Sequence, residues 1–362
     1  MQQEARLVTV DRAWSGRWHG PSVVRVSPAA VHLVGAAGPE HADLPHLPGT
    51  LFSPFTDSHV HLGLVEPAQL ARGGVGRVLD LGWSPDVAAL WPERGRVDPG
   101  WPEVQVAGGL LCPPDGYPSR AGWAPDDASV VVADAADAER AVVRMHDLGA
   151  SVVKLTLNAD AGPVFDDDVL RAIATAAERV GLLTVAHVQG PGQVRRALDA
   201  GLLRFAHTPF SELLPDDLLD RAADGTWIST LDIHRADPDA GDDGSAGSRP
   251  ASPVQEVAIA NLRGFRDRGG HVLYGTDLGN GDLPVGVNER ELRALQRVGL
   301  DRDALLTALG SDDSLDAGHD GAHWTPRASW VPQPPPDDER DDPAWLARAS
   351  VLTASTLQEL LP

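Results

Sequence analysis

Lysine is almost missing from this chain: of its 30 basic residues, one is a lysine, Lys154, and the other 29 are arginines. Arginine stays protonated inside proteins, whereas a buried lysine lowers its pKa and can present a neutral amine. Lys154 sits in an apolar run, SVVKLTL. One chemistry that needs a neutral lysine there is carbamate formation with CO2, which turns a cation into a carboxylate able to bridge two metals. The competing reading is a chance survivor on a strand. Cysteine is equally scarce. The single Cys112 excludes an internal disulfide and fits a reducing compartment. No window approaches 18 consecutive apolar residues, which excludes a membrane span, and the start MQQEARLVTV has no secretion-signal pattern. A cytoplasmic protein is the expectation. Clustered positive charge is also lacking. The net charge of −22 argues against nucleic acid and anionic membranes as partners. No Gly-rich phosphate loop follows an apolar run, and no repeat of fixed period is visible.

What is present is an alternating pattern. Residues 1–50 read as short strands and turns, with RLVTV (6–10), SVVRV (22–26) and AVHLV (30–34). From residue 51 the predicted strands are 51–57, 76–82, 104–110, 151–157, 182–187, 203–207, 227–233 and 271–277. Amphipathic stretches lie between them, such as 138–149 and 166–181; the second opens on aspartates and stops at Gly181. Eight strands interleaved with helices over 51–310 is the arithmetic of a (β/α)8 TIM barrel, with a doubly wound sheet as the alternative. The ends, 1–50 and 311–362, are expected to build a small β-sandwich from pieces such as RASWV (327–331) and ASVLTAS (349–355). The polar segments 236–253 and 311–342 read as a loop insertion and a disordered stretch.

Residues able to bind metal fall at the predicted C-terminal ends of these strands, the face on which barrels carry their active sites. His59 and His61 are two apart in FTDSHVHLG, so in an extended segment both imidazoles point the same way. Lys154, His187, His207 and Asp277 follow on later strands, with spacings of 33 and 20 residues between the middle three. Imidazole and carboxylate together suit zinc or another first-row divalent ion. Taken singly, each is more often a hydrogen-bonded core or surface residue. The ordered set is far more specific than any member.

At these residues the chain resembles the amidohydrolase superfamily, metal-dependent hydrolases on a (β/α)8 barrel. Binuclear members carry His-x-His on strand one, a carboxylated lysine on strand four, histidines on strands five and six and an aspartate on strand eight. All six have counterparts here, nearest in character to the imidazolonepropionase-like and Xaa-Pro dipeptidase-like branches. The sequence departs from the pattern at Ser53, where a Pro-Gly pair is usual, and in the degenerate RASWVPQPPPDDER near the C-terminus. The resemblance implies two divalent ions, zinc first among them, and a CO2-derived carbamate on Lys154. His59, His61 and Asp277 would hold one ion and His187 and His207 the other. Asp277 would shuttle the proton of a metal-bridging hydroxide that attacks a C–N bond in a small amide, cyclic amide or dipeptide-like substrate.

By position alone, Trp83, Tyr117, Asn158, Gln189, Phe210, His234 and Asn280 are candidate substrate contacts, with Trp123 beside Tyr117 in the loop after strand three. For His234 an exposed loop histidine is the stronger reading, and Asp232 reads as a polar contact or a turn former. The expected partner is a small-molecule substrate, with homo-oligomerisation left open. Two rival functions stand beside amide hydrolysis. One is lactone or phosphotriester hydrolysis on the same metals. The other is a catalytically silent binding protein, whose signature would be a broken His-x-His or a lost Asp277.

Overall fold

The computed structural model describes residues 5–235, 252–310, 323–324 and 326–361, so 236–251 of the predicted insertion and 311–322 of the stretch expected to be disordered lie outside the described residues, while 326–342 are ordered around the strand Ala328–Val331. The fold is α/β with two parallel sheets and one mixed sheet. Three strands, Phe55–Val60, Val75–Asp80 and Glu103–Val106, form one parallel sheet. Seven more form the other, including Leu110–Cys112, Val152–Asn158, Leu183–Gln189, Arg204–Phe205, Thr226–Ile228 and His271–Leu273. Backbone hydrogen bonds cross both gaps between these sheets. Ser151 N donates to Val106 O at 2.8 Å on one side. On the other, Ser58 N donates to Tyr274 O at 3.0 Å, Asp277 N to His59 O at 2.8 Å and His61 N to Leu278 O at 2.7 Å.

Two predicted strands are split. The run 51–57 breaks at Ser53–Pro54, and 104–110 breaks at Gly108–Gly109, where Gly108 takes φ 75°. Proline has no N–H to give a ladder, and glycine leaves the extended region without strain. The strand Val152–Asn158 shows why a lysine can sit among apolar residues. Every one of its residues is buried. Val153, Leu155 and Leu157 face the large core under the helices, while Val152 belongs to a separate inner cluster with Leu81, Ala107, Val185, Ala206, Ile228 and Leu273. With a period of two, Lys154 shares the inner face with Val152. It is the third residue of the strand, not the last as expected, because the ladder runs on to Asn158.

Both chain ends enter one eight-stranded sheet, in which Arg6–Trp14 pairs with His46–Phe52 and the latter with Ala328–Val331. It has a core of its own, including Val8, Val24, Leu47, Leu51, Trp330 and Leu357. The buried Arg327 guanidinium pins this sheet to the rest by donating to the carbonyls of Gly95, Asp98 and Trp101. Among the described residues no helix is long and apolar enough to cross a membrane.

Candidate metal centre

Six side chains from five strands or strand ends meet in one cavity of about 220 Å³: His59, His61, Lys154, His187, His207 and Asp277. All six are buried, Lys154 to 2% exposure. His59, His207 and Asp277 offer ligand atoms within 4.8 Å of one another. The resemblance implies that His207 shares an ion with His187. Its ring stands 4.6 Å from that of His59 and 4.8 Å from that of His187, midway between the two expected groups.

Hydrogen bonding fixes how the imidazoles face. His59 Nδ1 lies 2.8 Å from Ala206 O, and His61 Nδ1 lies 3.1 Å from Gly82 O. A carbonyl oxygen can only accept, so both Nδ1 atoms carry the proton, and Nε2 is a bare lone pair in whichever ring is neutral. Both Nε2 atoms point at the same carboxylate oxygen, Asp277 Oδ1, each at 3.2 Å. Lone pairs facing an anion at that range repel unless a cation lies among them. Protonation of His59 is a poor candidate for that cation, because burial holds its ring well below the usual pKa. Burial would raise the Asp277 carboxyl, but it lies below the ordinary carboxylate range, with Asn280 Nδ2 among the groups that donate to it, so it stays an anion. Burial likewise pushes His187 down to about 3. His187 Nε2 meets Asn158 Nδ2 at 3.2 Å and Gln189 Oε1 at 3.3 Å, which leaves Nδ1 for the cavity. His207 Nδ1 meets Thr230 Oγ1 at 3.0 Å.

Lys154 Nζ is buried with no hydrogen-bond partner. Burial lowers its ammonium to about 7, against the opposing pull of Asp277 and Asp80. An isolated buried ammonium is costly. The donor set of imidazoles, one carboxylate and an unpartnered amine fits a divalent metal, and fits an empty polar cavity poorly.

Two buried carboxylates missed by sequence reasoning build the frame. Asp57 accepts from His59 N (3.1 Å), Thr276 N (3.0 Å) and Thr276 Oγ1 (2.6 Å), tying the first strand to the residue before Asp277. This brace holds Asp277 at φ 61°, a left-handed conformation that aspartate tolerates better than most residues. Asp80 accepts from Leu62 N (2.7 Å) and Gly82 N (3.0 Å), fixing the turn after His61. The legible signal for Asp57 was its place two residues before His59, on the same strand face.

Of the expected substrate contacts, Tyr117, Gln189, Phe210, His234 and Asn280 line the cavity, joined by Trp123, Leu110, Thr156 and Ile233. Asn280 also donates to Asp277 Oδ1 at 3.0 Å. Trp83 and Asn158 are not on the lining. The Trp83 ring packs against Gly63, where any side chain would collide with it at 2.2 Å, and Asn158 braces His187 from behind.

His234 is no exposed loop histidine. Its turn, Asp232–His234, is held by Glu291, which accepts from Leu231 N at 3.0 Å and Asp232 N at 2.6 Å. Asp232 in turn accepts from Asn288 Nδ2 and Arg290 Nε, both at 2.9 Å. Burial, with Asp232 close by, raises the Glu291 carboxyl from 4.5 to about 8 despite those backbone bonds. A folded pKa above the unfolded one gives stability that is full below about pH 4.5 and lost as pH rises toward 8. The contribution of this group to stability in urea unfolding should therefore slope downward between pH 5 and 8, by at most about 1.4 kcal/mol per pH unit, against the opposite slope from the buried histidines. Glu291→Gln should flatten that slope; an unchanged slope would remove Glu291 as its source.

No known protein family and no curated protein matches the sequence. Solved structures do. A Xaa-Pro dipeptidase with bound methionine superposes with TM-score 0.70 at 17% identity, covering 97% of this chain and 98% of that one. An amidohydrolase superposes with TM-score 0.73 at 17% identity over 97% and 98% of the two chains. The A. niger ochratoxinase does so with TM-score 0.72 at 15% identity over 98% and 95%. The chain thus has the fold of these hydrolases along nearly its whole length, as the resemblance implied.

Proposed function

We propose that this protein is a metal-dependent amidohydrolase that cleaves a C–N bond in a small amide, cyclic amide or dipeptide-like substrate. The observation that carries the reading is the convergence of His59 Nε2 and His61 Nε2 on Asp277 Oδ1, at 3.2 Å each, in the cavity of the buried and unpartnered Lys154 Nζ. It is supported by the fold shared with a dipeptidase and an amidohydrolase. In this reading the two parallel sheets are one closed (β/α)8 barrel over 51–310, joined by the hydrogen bonds across both gaps. The sheet of the two chain ends is the small accompanying domain.

His59, His61 and Asp277 would hold one ion and His187 and His207 a second, with carbamylated Lys154 shared. Divalent ions bound there polarise a carbonyl and lower the pKa of water from about 15.7 toward 7. The carbamate forms when the neutral Lys154 amine adds to CO2 and releases a proton. Asp277 takes a proton from the attacking water and returns it to the leaving nitrogen. The brace from Asp57 through Thr276 keeps that carboxylate aimed. Tyr117, Trp123 and Phe210 shield the reacting groups from bulk water.

The test is amine release from a panel of N-acyl amino acids, cyclic imides, dipeptides and lactones, with and without chelator. Chelator-sensitive release from a nitrogen substrate is expected. Turnover of lactones alone would move the assignment to C–O bonds, and chelator-resistant turnover would reject it.

A further inference from the structure

Three non-glycine residues among those described take a left-handed backbone: Asp115, Thr230 and Asp277. Aspartate tolerates that region. A β-branched residue there is an outlier, and it persists only where its surroundings hold it. Thr230, at φ 42°, is fully buried, and its surroundings do hold it. Ser229 N donates to Leu273 O at 2.9 Å and Thr230 N to Gly275 O at 3.0 Å. Glu291 takes the next two N–H groups, those of Leu231 and Asp232. Four consecutive backbone donors are thus fixed, two by the chain that runs on to Asp277 and two by one buried carboxylate.

The strained residue puts one polar atom against the site. Thr230 Oγ1 lies 3.0 Å from His207 Nδ1. His59 and His61 rest their Nδ1 atoms on carbonyls, which can only accept. A hydroxyl can give or take the proton, so Thr230 decides what His207 offers the cavity. With Oγ1 accepting, Nδ1 keeps the proton and Nε2 is a bare lone pair. With Oγ1 donating, Nε2 carries the proton and cannot ligate. His207 stands in the group of ligand atoms that lie within 4.8 Å of one another, with the His59 ring 4.6 Å away. An ion in that group requires the first arrangement.

We infer that Thr230 is a positioning residue for His207: its hydroxyl, aimed by the strained bend, accepts the Nδ1 proton and leaves Nε2 as the ligand atom. The inference rests on the metal-dependent reading, and its test takes the tautomer and the metal separately. Ring-nitrogen NMR shifts of the metal-free protein, recorded well above the imidazole pKa range and assigned with His207→Asn, should show His207 protonated at Nδ1. A proton at Nε2 would overturn the inference whatever the metal content. Thr230→Val keeps the branched shape and loses the hydroxyl, whereas Thr230→Ser keeps the hydroxyl and loses the methyl. In competition with a chromophoric chelator, the valine variant should bind one zinc ion about 10- to 100-fold more weakly, and the serine variant should stay within about threefold of the unaltered protein. A merely structural role predicts the reverse order, because serine gives up buried packing and valine does not. Unchanged zinc affinity in the valine variant, or equal losses in both, would overturn the inference. If the unaltered protein takes up no zinc, the metal-dependent reading fails, and the ring shifts alone decide the role of Thr230.

Discussion

Lys154→Arg should reduce activity to background while leaving the protein folded. Arginine keeps length and charge and matches the other 29 basic residues, so at an ordinary position it would be almost silent. Lys154 is not at an ordinary position. Its Nζ is buried without a partner, on the inner face of a fully buried strand, in the cavity that holds the four imidazoles and Asp277. Arginine exchanges a group that can become a bridging anion for a fixed cation. At an effective dielectric near 20, like charges 4 Å apart repel by about 4 kcal/mol per unit pair, enough to expel at least one ion. The fold should persist because the inner cluster and the large core do not include the cavity residues. Lys154→Ala should be inactive too, with partial recovery in formate or another short carboxylate that fills the gap. An active Lys154→Arg protein with full metal content would refute the role.

Asp277→Asn should separate metal binding from proton transfer. The amide still offers a neutral oxygen toward His59 and His61, but it cannot take a proton from water near pH 7. The brace from Asp57 reaches the backbone and hydroxyl of Thr276, not the Asp277 side chain, so the local conformation should survive. We expect kcat to fall by roughly 10²- to 10⁴-fold, the usual worth of general acid–base catalysis, with a smaller change in KM. Steady-state kinetics on metal-replete protein checks this. A kcat near that of the unaltered protein would take Asp277 out of the proton-transfer role.

Much of this site is legible in the sequence because strand geometry is local. Period-two alternation places His59 with His61, and Val152 with Lys154, whatever the rest of the chain does. The helix Asp167–Val180 is equally local, opening on aspartates and closing at Gly181 with φ 76°. The frame was hidden because its partners are remote. Asp57 reaches Thr276 across 219 positions, and Glu291 holds the His234 turn across 59 and 60 positions. Asn158 shows the same limit. Its position at the end of the strand marks it as a candidate contact, yet its side chain is spent on His187 and Gln189. Short strands misled in the other direction: 203–207 and 271–277 are ordered as two- and three-residue ladders, Arg204–Phe205 and His271–Leu273, and the candidate ligands His207 and Asp277 stand beyond them.

The measurement that bears most directly on the central claim is metal content per chain, read by inductively coupled plasma mass spectrometry on protein purified without chelator and assayed in parallel. The account predicts two divalent ions per chain, most of them zinc, with activity lost on chelation and regained when metal and bicarbonate are returned together. A protein free of divalent metal that hydrolyses amides at the same rate would contradict it.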